Sequence, residues 1–254
     1  MSEMKIDFDF KKEFTKEQIS LFKRLNTPQK IQDYLDLLPI NFENHGETYM
    51  SAKATLERNH AHCFEAALVA AAILRFYGQR PLLLDLETKG DTDHVVALFQ
   101  QHGRWGAISK TNHSVLRYRD PVYKSVRELV MSYFHEYFTS EDRKKRLRAY
   151  KIVDLTRFDK YNWMTSSKNL WDIVRYLQKS SHTKIMGSTA HIKSLRLVSM
   201  LEMKMSDLPE WQNVGKVKEA VSVETGVEAL VVASIDVTRK PLVLTYVMPD
   251  AKEG

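Results

Sequence analysis

The amino-acid sequence predicts an α+β fold, and three features of its 254 residues carry that expectation. Residues 15–38 repeat apolar side chains at helical spacing, and residues 63–77 form an Ala- and Leu-rich segment with a clear stop. Residues 82–109 then hold three short apolar runs separated by turn residues, the pattern of hairpin-linked strands.

Within residues 15–38, Ile19, Phe22, Ile31, Tyr34, Leu35 and Leu38 recur at three- and four-residue steps. Thr27-Pro28 divides this pattern into two helices, with Thr27 suited to the N-cap and Pro28 to the first helical position. A polar stretch, 41–47, leads to Asn59-His60-Ala61-His62. Residues 63–77 follow as one helix, closed by Gly78 with Pro81 beyond it. Its alanines, Ala66, Ala67, Ala70, Ala71 and Ala72, make it slim enough to be buried at the centre of a fold and approached closely by its neighbours.

Residues 82–86 and 95–99 read as strands on either side of a turn at Lys89-Gly90-Asp91. Gln101-His102-Gly103-Arg104 turns the chain into a third strand, 105–109. Pro121 is expected to start a helix bearing Val122, Val126, Leu129, Val130, Tyr133 and Phe134, with Arg117, Arg119, Asp120 and Tyr123 as an ion-paired cap or a recognition cluster. A boundary is expected within 141–150, separating a core with N-terminal helices (1–140) from a C-terminal α+β annex (141–254), within one globular unit or two. In the annex, 170–178 and 192–205 read as helices and 229–233 and 242–247 as strands.

Composition narrows the function classes. Hydrophobic residues make up 43% and charged residues 28%, the balance of a globular rather than a disordered chain. The N-terminal residues offer no secretory signal, and the longest apolar run, 66–74, is too short for a membrane span, so a cytoplasmic protein without a membrane partner is expected. A formal charge of +6 is mild for this length. Its densest patch, Arg143, Lys144, Lys145, Arg146, Arg148 and Lys151, has no aromatics between Arg143 and Arg148 to stack on bases, which points to a solvated face rather than nucleic acid. A single cysteine excludes an intrachain disulfide and a thiolate-rich zinc site.

That cysteine, Cys63, stands where the polar segment ends and the Ala-rich helix begins, so the dipole and free amides of the first turn point at its sulfur. Such a position lowers a thiol pKa and offers donors for an oxyanion. His94, after Asp93, heads the next strand and is the candidate base. His60 and His62 could join Cys63 and His94 around zinc, but adjacent side chains rarely converge on one tetrahedral centre, and no metal or cofactor is expected.

The order of these parts matters: Cys63 opening a helix with Glu65 and Ala67, Gly78 closing it, Asp93-His94 heading a strand, and Gly103-Arg104-Trp105 opening another. This order, with Thr27-Pro28-Gln29-Lys30-Ile31 as lead-in, resembles the transglutaminase-like (papain-like) superfamily over about residues 27–112. The resemblance implies a cysteine-peptidase-like core, in which the helix packs on an antiparallel sheet. It also implies Cys63 as nucleophile and His94 as general base. The family's orienting Asp falls at Ser109, a neutral substitute, with Asn112 as the alternative partner. The implied activity is thiol-dependent acyl chemistry on an amide of a peptide or protein: hydrolysis, or transfer to an amine. The departure at Ser109 keeps open a degenerate member that binds without catalysis.

Overall fold

Six antiparallel strands form the central sheet, in the order β4-β3-β2-β1-β5-β6. The computed structural model describes residues 8–204. Its first half is helical: α1 (Phe10–Glu13), α2 (Lys16–Arg24), α3 (Pro28–Leu37), α4 (Ala52–Arg58) and α5 (Cys63–Phe76). Then come β1 (Leu82–Thr88), β2 (His94–Gln101), β3 (Arg104–Ile108) and β4 (Arg119–Tyr123), followed by α6 (Val126–Tyr133) and β5 (Leu147–Asp154). A 3₁₀ turn (Leu155–Tyr161), α7 (Trp171–Lys179), β6 (Thr183–Lys184), α8 (Thr189–Ser194) and α9 (Met200–Met203) complete the described chain.

The helix breaks follow local chemistry. Thr27 caps α3 through its hydroxyl, which accepts from the Lys30 amide at 3.3 Å, with Pro28 at the first helical position. Gly78 ends α5 at φ +78°, where a side chain would be strained, and the Gln79 amide closes back onto the Leu74 carbonyl.

Helices cover both faces of the sheet. Leu83, Val95, Ala97, Phe99 and Ile108 pack with α5 and the N-terminal helices. Leu82, Leu84, Leu86, Val96 and Leu98 face the other way, against Val126, Leu129, Val130 and Tyr133 of α6. The unbroken apolar run 82–84 thus reflects burial on both faces rather than one. The alanines of α5 are buried throughout, so this helix lies sandwiched between the sheet and α3 and α4.

Three sequence expectations change. Pro121 lies in β4, an edge strand paired only with β3, where a missing N–H is tolerated, and the helix begins at Val126 behind its N-cap Ser125. Residues 141–150, read as a boundary, run directly into β5, which pairs along β1 from Leu82↔Asp154 to Thr88↔Leu147. The helix expected over 192–205 is two short ones, α8 and α9, with a break after Leu195. The strands expected at 229–233 and 242–247 lie outside the described residues.

Candidate active site

Cys63 is the first residue of α5, and the helix start is built by its neighbours. His62 is the N-cap, its Nδ1 accepting from the Phe64 amide at 3.3 Å. Glu65 reaches back so that its Oε2 accepts from the His62 amide at 3.2 Å, a reciprocal capping box. The Glu65 carboxylate is fully buried and is held by donors from Asn41 Nδ2, Thr48 Oγ1 and the Met50 amide as well. These bonds clamp the polar 41–50 segment over the helix start.

His94 opens β2, and Ser109 follows the last residue of β3. The pairing Ala97↔Ile108 brings the start of β2 and the end of β3 to the same end of the sheet. There His94 Nε2 lies 2.8 Å from Ser109 Oγ, and the same oxygen lies 2.6 Å from the Leu116 carbonyl. A hydroxyl has one hydrogen, and a carbonyl can only accept. The Ser109 hydrogen therefore goes to Leu116, and His94 donates Nε2–H to Ser109. This fixes the imidazole tautomer and leaves Nδ1 as its basic nitrogen.

Ser109 is itself held in place from α3. Gln32 Oε1 accepts from the Ser109 amide at 2.9 Å, and Gln32 Nε2 donates to the Ser109 carbonyl at 2.7 Å. The side chain thus mimics a strand partner just beyond the end of β3. Next in the chain, buried Lys110 donates from Nζ to the Leu38 carbonyl at 2.5 Å, tying the same loop to the end of α3.

Cys63, His62, His94, Lys110 and Asn112 line one cleft of about 800 Å³. Tyr137, whose hydroxyl donates to the Thr92 carbonyl, forms part of its far wall. The thiol shares this cleft with the rings of His62 and His94. Burial pushes the Cys63 pKa up, but the neighbouring imidazoles of His62 and His94 outweigh it and hold the thiol well below its ordinary value. Burial likewise opposes charge on His62, while the Cys63 contact, the Cys63 and Glu65 charges and the Thr48 carbonyl raise it to about 9.

The structure therefore gathers Cys63, His94 and Ser109, and gives Asn112 a place on the cleft wall while Ser109 takes the far nitrogen of His94. His60 turns away to the Arg58 carbonyl at 2.9 Å. Within the cluster around Pro121, the Arg119 guanidinium pairs with Glu136 at 2.5 Å and lies 4.1 Å over the Tyr133 ring, and Arg117 lies 3.5 Å from Asp36. The basic patch is partly engaged as well, since Arg146 pairs with Asp142 and Lys145 is buried with its Nζ on the Arg196 carbonyl. Sequence reasoning missed Gln32 and Lys110; it read His62 as a zinc ligand beside Cys63 or a group at the mouth of the site rather than as the N-cap, and Glu65 only as part of the helix-opening motif.

No protein-family model matches the chain, and no match is found among curated proteins. No helix among the described residues is long and apolar enough to cross a membrane.

Proposed function

We propose that the chain is a transglutaminase-like cysteine hydrolase or acyltransferase acting on amides of a peptide or protein. The observation that carries this reading is the polarised chain Leu116 carbonyl–Ser109 hydroxyl–His94 imidazole, set beside a thiol at a helix start in an open cleft. It leaves Nδ1 as the basic nitrogen of His94, in the cleft that Cys63 also lines, the protonation state a nucleophile–base pair requires.

In this reading the Cys63 thiolate attacks the amide carbonyl and forms a C–S bond. First-turn amides of α5 receive the oxyanion. His94, in its imidazolium form, gives its Nδ1 proton to the leaving amine as the C–N bond breaks. Water, activated by the neutral ring, then releases the acyl group as a carboxylic acid and restores the thiol; an amine in place of water completes a transfer. The absence of a calcium-loop motif in the sequence favours hydrolysis over cross-linking.

A second reading rests on Ser109. A neutral partner stabilises an imidazolium less than a carboxylate does, which suits a binding protein that retains the cleft without turnover. Iodoacetamide labelling of the native chain at pH 6 separates the two readings. The catalytic reading expects Cys63 to react far faster than a free thiol at that pH, and cleavage or aminolysis of amides in a peptide library to be lost in Cys63→Ala. A silent thiol and no turnover would overturn it in favour of binding.

A further inference from the structure

A serine beside a histidine leaves open a choice that an aspartate closes. An ionised carboxylate can only accept from the ring, whereas a hydroxyl can accept from a ring N–H or donate to a bare ring nitrogen. With Ser109 as its partner, His94 has two tautomers open to it. The choice is made one step further out, at the Leu116 carbonyl, which takes the Ser109 hydrogen at 2.6 Å and leaves only lone pairs for the ring. We propose that Glu136 is a positioning residue that sets the His94 tautomer, by holding the strained backbone of Leu116 so that its carbonyl stays on Ser109. This inference rests on the thiol chemistry proposed above and names a residue that acts on its base through two others.

Leu116 is the link that needs holding. It is buried, and its φ of +62° lies in the left-handed region, where a side chain is crowded by its own backbone. Such a conformation persists only where the surroundings fix it. Glu136 does so from just beyond α6, its Oε2 accepting from the Leu116 amide at 2.9 Å. The following residue is pinned as well, because the Arg117 carbonyl accepts from the Tyr133 hydroxyl at 3.0 Å and from Arg119 Nη1 at 3.2 Å. Leu116 is thus anchored on both sides of its own carbonyl.

The anchor is braced in turn. Arg119 Nη2 donates to the same Glu136 Oε2 at 2.5 Å, while its Nε donates to Ser132 Oγ at 2.9 Å. One carboxylate oxygen therefore joins a charged side chain to the Leu116 amide. With the hydroxyl hydrogen committed to Leu116, His94 keeps hydrogen on Nε2 and a lone pair on Nδ1. That lone pair is the acceptor for the Cys63 proton: the S–H bond breaks and an N–H bond forms. Without Glu136 the Leu116 backbone relaxes, the Ser109 hydroxyl turns its hydrogen to Nε2, and the ring proton moves to Nδ1. The base is then spent on serine and the thiol stays protonated.

The test reads the tautomer directly, from ¹H–¹⁵N correlations of the His94 imidazole at pH 8. The full chain carries Cys63→Ser, so that no thiolate holds the ring charged, and the His94 signals are assigned by their loss on adding His94→Ala. The ring is expected as the Nε2–H tautomer. Glu136→Ala should convert it, in whole or in part, to Nδ1–H. Glu136→Gln, whose amide oxygen can still accept from both Leu116 and Arg119, should keep Nε2–H. Adding Leu116→Gly to Glu136→Ala should recover Nε2–H, because glycine takes a positive φ without strain. With Cys63 in place, Glu136→Ala should slow iodoacetamide alkylation at pH 6 about tenfold and move its midpoint toward the ordinary thiol value of ~8.5, and Glu136→Gln should not. An unchanged Nε2–H ring in folded Glu136→Ala would overturn the proposal and leave the thiol chemistry standing. So would an Nδ1–H ring in the Cys63→Ser chain itself, a readout that needs no change at Glu136. A wild-type thiol no faster than a free one at pH 6 would overturn the thiol chemistry instead, and the tautomer would still decide the role of Glu136.

Discussion

His94 donates its Nε2 hydrogen to Ser109 Oγ across 2.8 Å, while the Ser109 hydroxyl spends its own hydrogen on the Leu116 carbonyl at 2.6 Å. Serine acts here as acceptor and donor at once, and both partners are shielded from water. Ser109→Ala strands the ring N–H and the carbonyl, at a cost of roughly 1–3 kcal/mol for each unpaired buried group. The urea midpoint should fall accordingly. Any amide turnover should fall about tenfold for each ~1.4 kcal/mol of lost transition-state stabilisation, because the ring is no longer held in one tautomer.

Ser109→Asp restores the carboxylate of the resembled family, but the same geometry opposes it. A carboxylate has no hydrogen for the Leu116 carbonyl, so it would set negative charge against that oxygen. Two opposite effects should appear together: Cys63 alkylation active at lower pH than in wild type, and a stability loss of roughly 1–3 kcal/mol in denaturant unfolding. A variant as stable as wild type would show that the Leu116 loop moves aside.

Gln32 reaches the site from α3, using both ends of its amide on the backbone of Ser109. Gln32→Ala leaves a buried N–H and a buried carbonyl unpaired and should cost roughly 2–4 kcal/mol. Hydrogen exchange of the Ser109 amide, slow in wild type, should accelerate. Gln32→Glu keeps one acceptor but turns a second oxygen on the Ser109 carbonyl, and should be no better than Ala.

What the sequence made legible were the features written locally. The α5 helix, expected over 63–77 and found at Cys63–Phe76, is bounded by a polar segment and by Gly78 in a left-handed turn. The first three strands lie within two residues of their expected ends because Gly90 and Gly103 mark their turns at positive φ. The Thr27-Pro28 start of α3 was equally plain. By contrast, β5 was hidden by its charges. Lys151 lies over the Tyr176 ring at 4.1 Å and Arg148 is half-buried, so cationic residues sit on a strand that composition marked as a solvated linker. At the site, Cys63 and His94 could be picked out because each stands at an element boundary. The Gln32 clamp could not, since it joins residues 77 apart through side-chain length alone. His62 was obscured because N-caps are ordinarily Ser, Thr, Asp or Asn.

Gly106 faces Phe99 across β2 and β3, and the ring lies over the space a side chain would need. An added Cβ would come within 2.3 Å of Phe99 Cζ and 2.8 Å of the Arg119 carbonyl. Phe99 is buried and stacked on Tyr118, so it has little room to yield. Gly106→Ala should therefore cost about 1–3 kcal/mol by overpacking. Combining it with Phe99→Leu should recover part of that loss, measurable as non-additivity in a double-mutant cycle.

The Cys63–His62 pair also has a signature in stability against pH. Unfolded, the two groups titrate near 9.0 and 6.5; folded, the thiol is held well below its value and His62 rises to about 9. The raised His62 contributes stability that is full below 6.5 and lost as pH rises through about 9. The depressed Cys63 contributes stability that is full above 9.0 and lost as pH falls through its folded value. Between 6.5 and about 9 the unfolded chain holds one proton on the thiol and the folded chain one on the ring, so the pair adds no slope there. Below 6.5 the unfolded chain binds the extra proton, and stability should fall by at most about 1.4 kcal/mol per pH unit until Cys63 is protonated. The unfolding free energy of wild type minus that of Cys63→Ser, followed from pH 4 to 9, isolates this term from the other carboxylates. A plateau above 6.5 with an acid-side decline is expected; a difference that stays flat down to pH 4 would mean that the thiol is protonated in the native protein at neutral pH.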